Sequence, residues 1–188
     1  IIEQYGSERL WKKINSVFEY LPICALIQKK VFCVHGGISS YLDIISDINS
    51  IKLPISEFAF NKILEDFMWS DPSKKVDFYE TSPRANGHLF GHKAVSDFLK
   101  TNNINHIIRA HQVVKSGVEK FSGNRLFTVF SSSNYMNKGN KGGLIVVSEQ
   151  CIISALVLPP INIPQALKFE AYEETKLPNL ISHKTASS

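Results

Sequence analysis

Two short apolar runs, "VFCV" at 31–34 and "IIRA" at 107–110, each end on a histidine, His35 and His111, and the first is followed by Gly36 and Gly37. Runs of this kind bounded by turn residues read as strands buried on both faces. Strand ends converge at one edge of a sheet, which is where side chains far apart in sequence can share a ligand. Two imidazoles placed there can hold one divalent metal. A lone histidine after a strand is more often a hydrogen-bonded structural residue, so the pairing carries the metal reading. Glycines after such a strand permit positive φ and let another backbone or a phosphate approach closely.

The elements around these strands are mixed. From Gly6 to Ile27 apolar residues recur at three- and four-residue intervals (Leu10, Trp11, Ile14, Val17, Phe18, Leu21), which predicts a helix with one buried face and Ser7 as its cap. "SYLDIISDINSIKLPISEFAF" carries helical stripes broken by Pro54, and residues 70–92 hold enough Pro, Gly, Asn and Ser to be expected as one long loop. "HKAVSDFLKTNN" predicts an amphipathic helix ending at Asn102 or Asn103. "INHIIRAHQ", "LFTVFSSSNY", "GGLIVVSE" and "CIISALVLP" predict strands, the later ones as an antiparallel meander. This order favours a layered α/β or α+β domain over a barrel. Residues 1–158 are expected to form the domain and 159–188, with four prolines and a Ser/Thr-rich end, an extended tail disordered after about residue 175.

Composition narrows the partners. The net charge of +4 is spread without a block of like charges, which gives no support for nucleic acid or a membrane surface as partner. No apolar run reaches the roughly 18–20 residues of a membrane span. Three cysteines, Cys24, Cys33 and Cys151, lack CxxC spacing and sit among apolar neighbours, which suggests reduced thiols and a cytosolic or nuclear setting. The chain opens on Ile1 inside a helix-like pattern, so it is expected to be a fragment with its amino-terminal part absent.

Other candidates are weaker on local grounds. Arg84, in "SPRANGHLFGH", is either a solvated loop cation or a planar fork for phosphate oxygens. Asp71, in "MWSDPSKK", reads first as an Asx-type turn at a helix exit. His88 and His92 read as loop or helix-start residues. Tyr135 could bond a ligand oxygen or cover its loop. No GxSxG elbow surrounds Ser131–Ser133.

Taken in order, "LPICALIQKKVFCVHGGIS", "MWSDP", an arginine six residues before "FG", "IIRAHQVVKSG" and "LFTVFSSSNY" closely resemble the carboxy-terminal portion of the catalytic domain of the metal-dependent serine/threonine phosphoprotein phosphatase family. The resemblance spans roughly residues 5–158 and implies part of a four-layer sandwich, two mixed β-sheets flanked by helices. It implies hydrolysis of phosphoserine or phosphothreonine in proteins at a two-metal site of Mn, Fe or Zn. His35 and His111 would ligate the second metal, Arg84 would clamp the substrate phosphate with Tyr135 beside it, and Asp71 would be a supporting carboxylate. Phosphoprotein substrates, and regulatory subunits or fused regulatory domains, are the partners implied. Ser40, Ala85 and the pair Ser132–Ser133 depart from the family pattern, which puts local loop shape in question. The family's "GDxHG", "GDxVDRG" and "GNHE" motifs do not occur in the chain. The polypeptide alone is therefore expected to be inactive, and the alternative is a non-catalytic phosphatase-like module that binds partners through its retained groove.

Overall fold

The computed structural model describes residues 2–55 and 61–161. Its centre is a five-stranded mixed sheet of β1 (Cys24–Ile27), β2 (Val31–Val34), β6 (His106–Arg109), β8 (Leu126–Val129) and β7 (Val118–Phe121), side by side in that order. The three inner strands, β2, β6 and β8, are parallel, with Val31 opposite His106 and Ile107 opposite Leu126. Parallel strands put their carboxyl ends at one sheet edge, and that edge carries His35, His111 and the loop after Val129. The outer strands β1 and β7 close the sheet antiparallel. Of the later strands expected as a meander, only those at 142–147 and 153–158 pair antiparallel with one another, whereas β8 pairs parallel with β6 and antiparallel with β7, a strand the sequence did not announce.

Two helices cover the face that carries Phe32. In α3 (Lys62–Trp69) Asn61 caps by accepting from the N–H groups of Ile63 and Leu64, and Leu64 and Phe67 are buried. In α4 (His92–Thr101) Ala94, Val95, Phe98 and Leu99 turn inward, at the spacing the sequence predicts, and Asn102 follows as the cap. Phe32 meets Phe67 at 5.7 Å and Phe98 at 5.5 Å between ring centroids, so both helices pack on the same strand. Ile107 and Leu126 complete that core.

Other expectations are corrected too. The helical pattern over 6–27 ends early: α2 spans Glu8–Phe18 after the short α1 (Ile2–Tyr5), with Ser7 Oγ accepting from Leu10 N–H at 3.1 Å, while Cys24–Ile27 is strand β1. The cause lies in the turn Ile27–Lys30, where Gln28 (φ 48°) and Lys29 (φ 56°) are both left-handed and Lys30 N–H donates to Ile27 O at 2.9 Å. That is the turn whose twist suits a tight hairpin, built here without the Asn-Gly that usually announces it. Nor does α2 bury its stripe, since none of its residues is buried and Trp11 and Phe18 are exposed. Finally, residues 70–92 are not one loop. Short strands β3 (Asp71–Pro72), β4 (Tyr79–Thr81) and β5 (His88–Phe90) form a three-stranded sheet with β5 in the middle. Strands of two or three residues are too short to show a period, so only their non-local pairing reveals them.

Strands β9 (Gly142–Val147) and β10 (Ile153–Leu158) make a separate hairpin, tied to the end of β8 by Gly143 N–H donating to Phe130 O at 2.8 Å. A 3-10 turn at Ile45–Ser50 replaces the helix suggested around Pro54, and residues 56–60 of that stretch lie outside the described residues. The expected tail lies outside them from residue 162 onward; before that, Ser133 Oγ donates to Pro159 O at 2.8 Å and accepts from Ile161 N–H at 2.9 Å. All three cysteines are free thiols, and burial pushes the Cys24 and Cys33 thiols up from their ordinary values.

Candidate functional site

At the end of β2 the chain must pass the end of α3. Gly36 N–H donates to Phe67 O at 2.6 Å, and a Cβ on Gly36 would lie 2.6 Å from the carbonyl carbon of Met68 and 2.7 Å from Trp69 N. A Cβ on Gly37 would collide with the Phe90 ring. Close approach of other groups, and not positive φ, is therefore what the two glycines provide. At the end of β6, Ala110 N–H donates to His35 O at 2.9 Å, locking the two strand ends together.

The histidines meet. Their rings lie edge to face with centroids 5.2 Å apart, and Trp69 covers His111 at 5.4 Å. Burial lowers both imidazole pKa values, reinforced at His35 by the Arg109 charge and at His111 by Arg109, His35 and Arg84, with Asp71 opposing. Both rings are therefore neutral at neutral pH, the state that offers a lone pair to a metal. His111 Nε2 is buried and has no hydrogen-bond partner among the described residues. An orphaned ring nitrogen beside a second neutral imidazole suits a metal ligand. The set is incomplete, because no group of three or more His, Cys, Asp or Glu able to hold a metal occurs among the described residues.

Asp71 is the other centre. It is buried, and its two carboxylate oxygens serve different guanidinium groups: Oδ1 accepts from Arg109 Nη2 at 2.8 Å and Oδ2 from Arg84 Nε at 2.9 Å. Arg109 is itself buried, donating also to Gly36 O at 2.5 Å, Ser70 O at 3.1 Å and Gln112 Oε1 at 2.9 Å. Burial pushes its pKa down to about 10, with Asp71 pulling the other way, so it stays charged at neutral pH. Two cations against one carboxylate leave a positive excess. The Arg84 side chain is 47% exposed, and its Nη atoms make no hydrogen bond among the described residues. That half of the fork is available to an anion.

The segment bearing Arg84 is fastened to α3. Gly87 N–H donates to Glu65 Oε1 at 3.2 Å and His88 N–H to Ser70 Oγ at 3.0 Å. The buried Asp66 carboxylate joins His88 Nδ1 at 2.6 Å, Ser39 Oγ at 2.6 Å and Ser70 Oγ at 2.9 Å. Ala85 sits at φ 63°, where its Cβ is strained. Ala85→Gly is expected to stabilise the chain by about 0.5–1 kcal/mol, seen as a higher urea midpoint; an unchanged or lower midpoint would show that the loop relaxes around alanine.

The structure thus brings His35, His111, Asp71 and Arg84 together. Tyr135 lies on the loop after β8, at the same sheet edge. It meets Phe130 at 5.3 Å and is 41% exposed, but no hydrogen bond or ring contact joins it to the other four. Asn140 shapes its loop, accepting from Tyr135 N–H at 2.7 Å and donating to Ser132 O at 2.7 Å. Sequence reasoning passed over Arg109, Asp66 and Asn140. The signal for Arg109 was a charge inside an apolar strand, since such a charge persists only when paired. Asp66 on the buried stripe of α3 gave a similar one. Nothing local marked Asn140.

The chain matches the model of the calcineurin-like phosphoesterase family over residues 2–115. It is 33% identical over 186 residues to serine/threonine-protein phosphatase BSL2 of Arabidopsis thaliana, an alignment covering 95% of this chain and 18% of that protein. Its fold superposes with a TM-score of 0.76 and 25% identity on a protein serine/threonine phosphatase from Saccharomyces cerevisiae described as similar to human phosphatase PP5, covering 87% of this chain and 55% of the other. The chain therefore spans about a fifth of the curated relative and just over half of the solved one.

Proposed function

Because the chain belongs to the calcineurin-like phosphoesterase family, and within it to the serine/threonine protein phosphatases, we propose that it forms the phosphate-clamping, second-metal side of a site that hydrolyses phosphoserine and phosphothreonine in proteins. One observation carries the reading: Arg84, whose Nη atoms stay free among the described residues while its Nε is held by Asp71, has its charge felt at His111, whose buried Nε2 has no partner among the described residues and whose ring meets a second neutral imidazole. His35 and His111 would hold one metal, Mn, Fe or Zn by its imidazole ligation, and that metal when bound supplies Lewis-acid polarisation and a more acidic water.

The residues of the chain itself do the rest. Arg84 binds two phosphoryl oxygens through its Nη atoms and opposes the negative charge that grows on them. Asp71 fixes the plane of that guanidinium from behind, and the buried Arg109 fixes Asp71. Tyr135 borders the substrate from the neighbouring loop. Trp69 packs edge-on against the half-buried His111, while His35 stays open to solvent and so to an incoming ligand. The substrates would be phosphoproteins, with regulatory subunits or fused domains as further partners.

Two imidazoles without further ligands do not make a two-metal site, so the isolated chain is inactive on this reading. The same shortage of ligands favours a second reading, a non-catalytic module that retains the anion clamp. Co²⁺ titration of the purified chain, followed by ligand-field absorption, tests the metal role. Wild type should bind weakly, and His35→Ala with His111→Ala should weaken it at least about ten-fold. Equal binding by the double variant would remove the metal role. Phosphothreonine peptide turnover by the chain with added Mn²⁺ would contradict its inactivity. Loss of inorganic phosphate binding in Arg84→Ala, without any metal dependence, would favour the module.

A further inference from the structure

We propose that the groove leading away from the Asp71–Arg84 clamp receives acidic side chains flanking the phosphorylated residue, so that the site selects acid-rich phosphopeptides. This rests on the phosphate reading of Arg84. The groove is a cavity of about 420 Å³ walled by Pro72, Lys74 and Lys75 on one side and by Gln112, Val114 and Glu119 on the other. Pro72 directly follows Asp71, and Gln112 directly follows His111 and accepts from Arg109. The groove therefore opens off the same two segments that build the clamp.

Its charge is lopsided. Lys74 and Lys75 are exposed, and neither has a carboxylate within 4.0 Å among the described residues. Lys115, the next residue after Val114, is exposed and equally unpaired, and Lys141 N–H donates to Lys115 O at 3.0 Å, which brings another unpaired lysine to that rim. Against these four stands one lining carboxylate, Glu119. Asp77, two residues beyond Lys75, is taken by Lys93 Nζ at 2.6 Å. The lysine loop is anchored: Ser73 N–H donates to Phe90 O at 2.9 Å, Lys75 N–H to Ser73 Oγ at 3.2 Å, and Val76 is buried. The ammonium groups are thus presented from a fixed base and remain open to an anionic partner.

A peptide fits better than a nucleic acid. The non-charged walls are aliphatic or polar, and Phe121, the one aromatic lining residue, is only 8% exposed, which leaves no ring face for base stacking. The clamp binds one phosphoryl group, and side chains next to it along an extended peptide would fall in the groove.

Fluorescence anisotropy of the full chain with fluorescein-labelled phosphothreonine peptides tests this at low and moderate salt. The peptides carry Asp/Glu, Ala or Lys flanks, with an unphosphorylated acidic peptide and oligouridine alongside. Acidic flanks should tighten binding about ten-fold over alanine flanks, because several exposed ion pairs add modestly and are screened by salt. Replacing Lys74, Lys75 and Lys115 together by glutamine should shrink that preference to about two-fold or less. These surface changes leave the core intact, and circular dichroism confirms the fold. Phosphopeptides that bind with no preference for acidic flanks, or a preference that survives the triple variant, would overturn the groove assignment and leave the clamp standing. Lysine-dependent binding of the unphosphorylated acidic peptide, with no gain from phosphate, would instead overturn the clamp. Oligouridine bound more tightly than the acidic phosphopeptide would overturn the peptide assignment.

Discussion

Replacing Asp71 with alanine should cost the folded chain about 3–5 kcal/mol, the usual penalty for removing one partner of a buried ion pair. The expense arises from what stays behind: Arg109 is fully buried and would keep its charge with only neutral acceptors around it, the carbonyls of Gly36 and Ser70 and the amide of Gln112. Arg84→Met removes the other partner of the same carboxylate and should cost less than about 1 kcal/mol, because Arg84 is half exposed and its charge is already hydrated. Urea unfolding followed by Trp fluorescence separates the two. Comparable losses for both variants would mean that Asp71 serves the clamp alone and that Arg109 is satisfied without it.

Gly36→Ala should destabilise by roughly 1–3 kcal/mol, the range for overpacking a close contact, and should also weaken Co²⁺ binding without touching a ligand. The new methyl group would press on the backbone of Met68 and Trp69, which cannot swing aside as a side-chain tip would. Either α3 moves or the turn after His35 moves. In both cases the His35 ring leaves its place beside His111, and Trp69 shifts from its cover over His111. Histidine ring resonances read this directly. Unshifted His35 and His111 signals in a folded Gly36→Ala chain would show that the turn tolerates a Cβ and that the glycine has another cause.

Much of the scaffold was visible along the chain because its signals are short-ranged. Four apolar residues before a turn mark β2 wherever they occur, and the stripe of Ala94, Val95, Phe98 and Leu99 marks α4 by helical spacing. The Ser7 cap needs only its own neighbours. Where local signals competed, the reading failed: Cys24–Ile27 continued a helical stripe until pairing with Val31–Val34 drew it into the sheet. The three small strands between 71 and 90 have no period to read.

Local patterns along the chain suffice to put two imidazole-ended strands and an arginine-bearing segment in one layered domain of this family. What those groups can do for one another emerges only from the packed fold. Asp71 read locally as a turn residue, yet it is the anchor of two guanidinium groups, one of them 38 residues away, and Asp66 grips His88 across 22. The reason is physical: periodicity and capping act within a turn or two of backbone, whereas the partner of a buried charge is chosen by which distant atoms the packed core leaves within hydrogen-bonding reach.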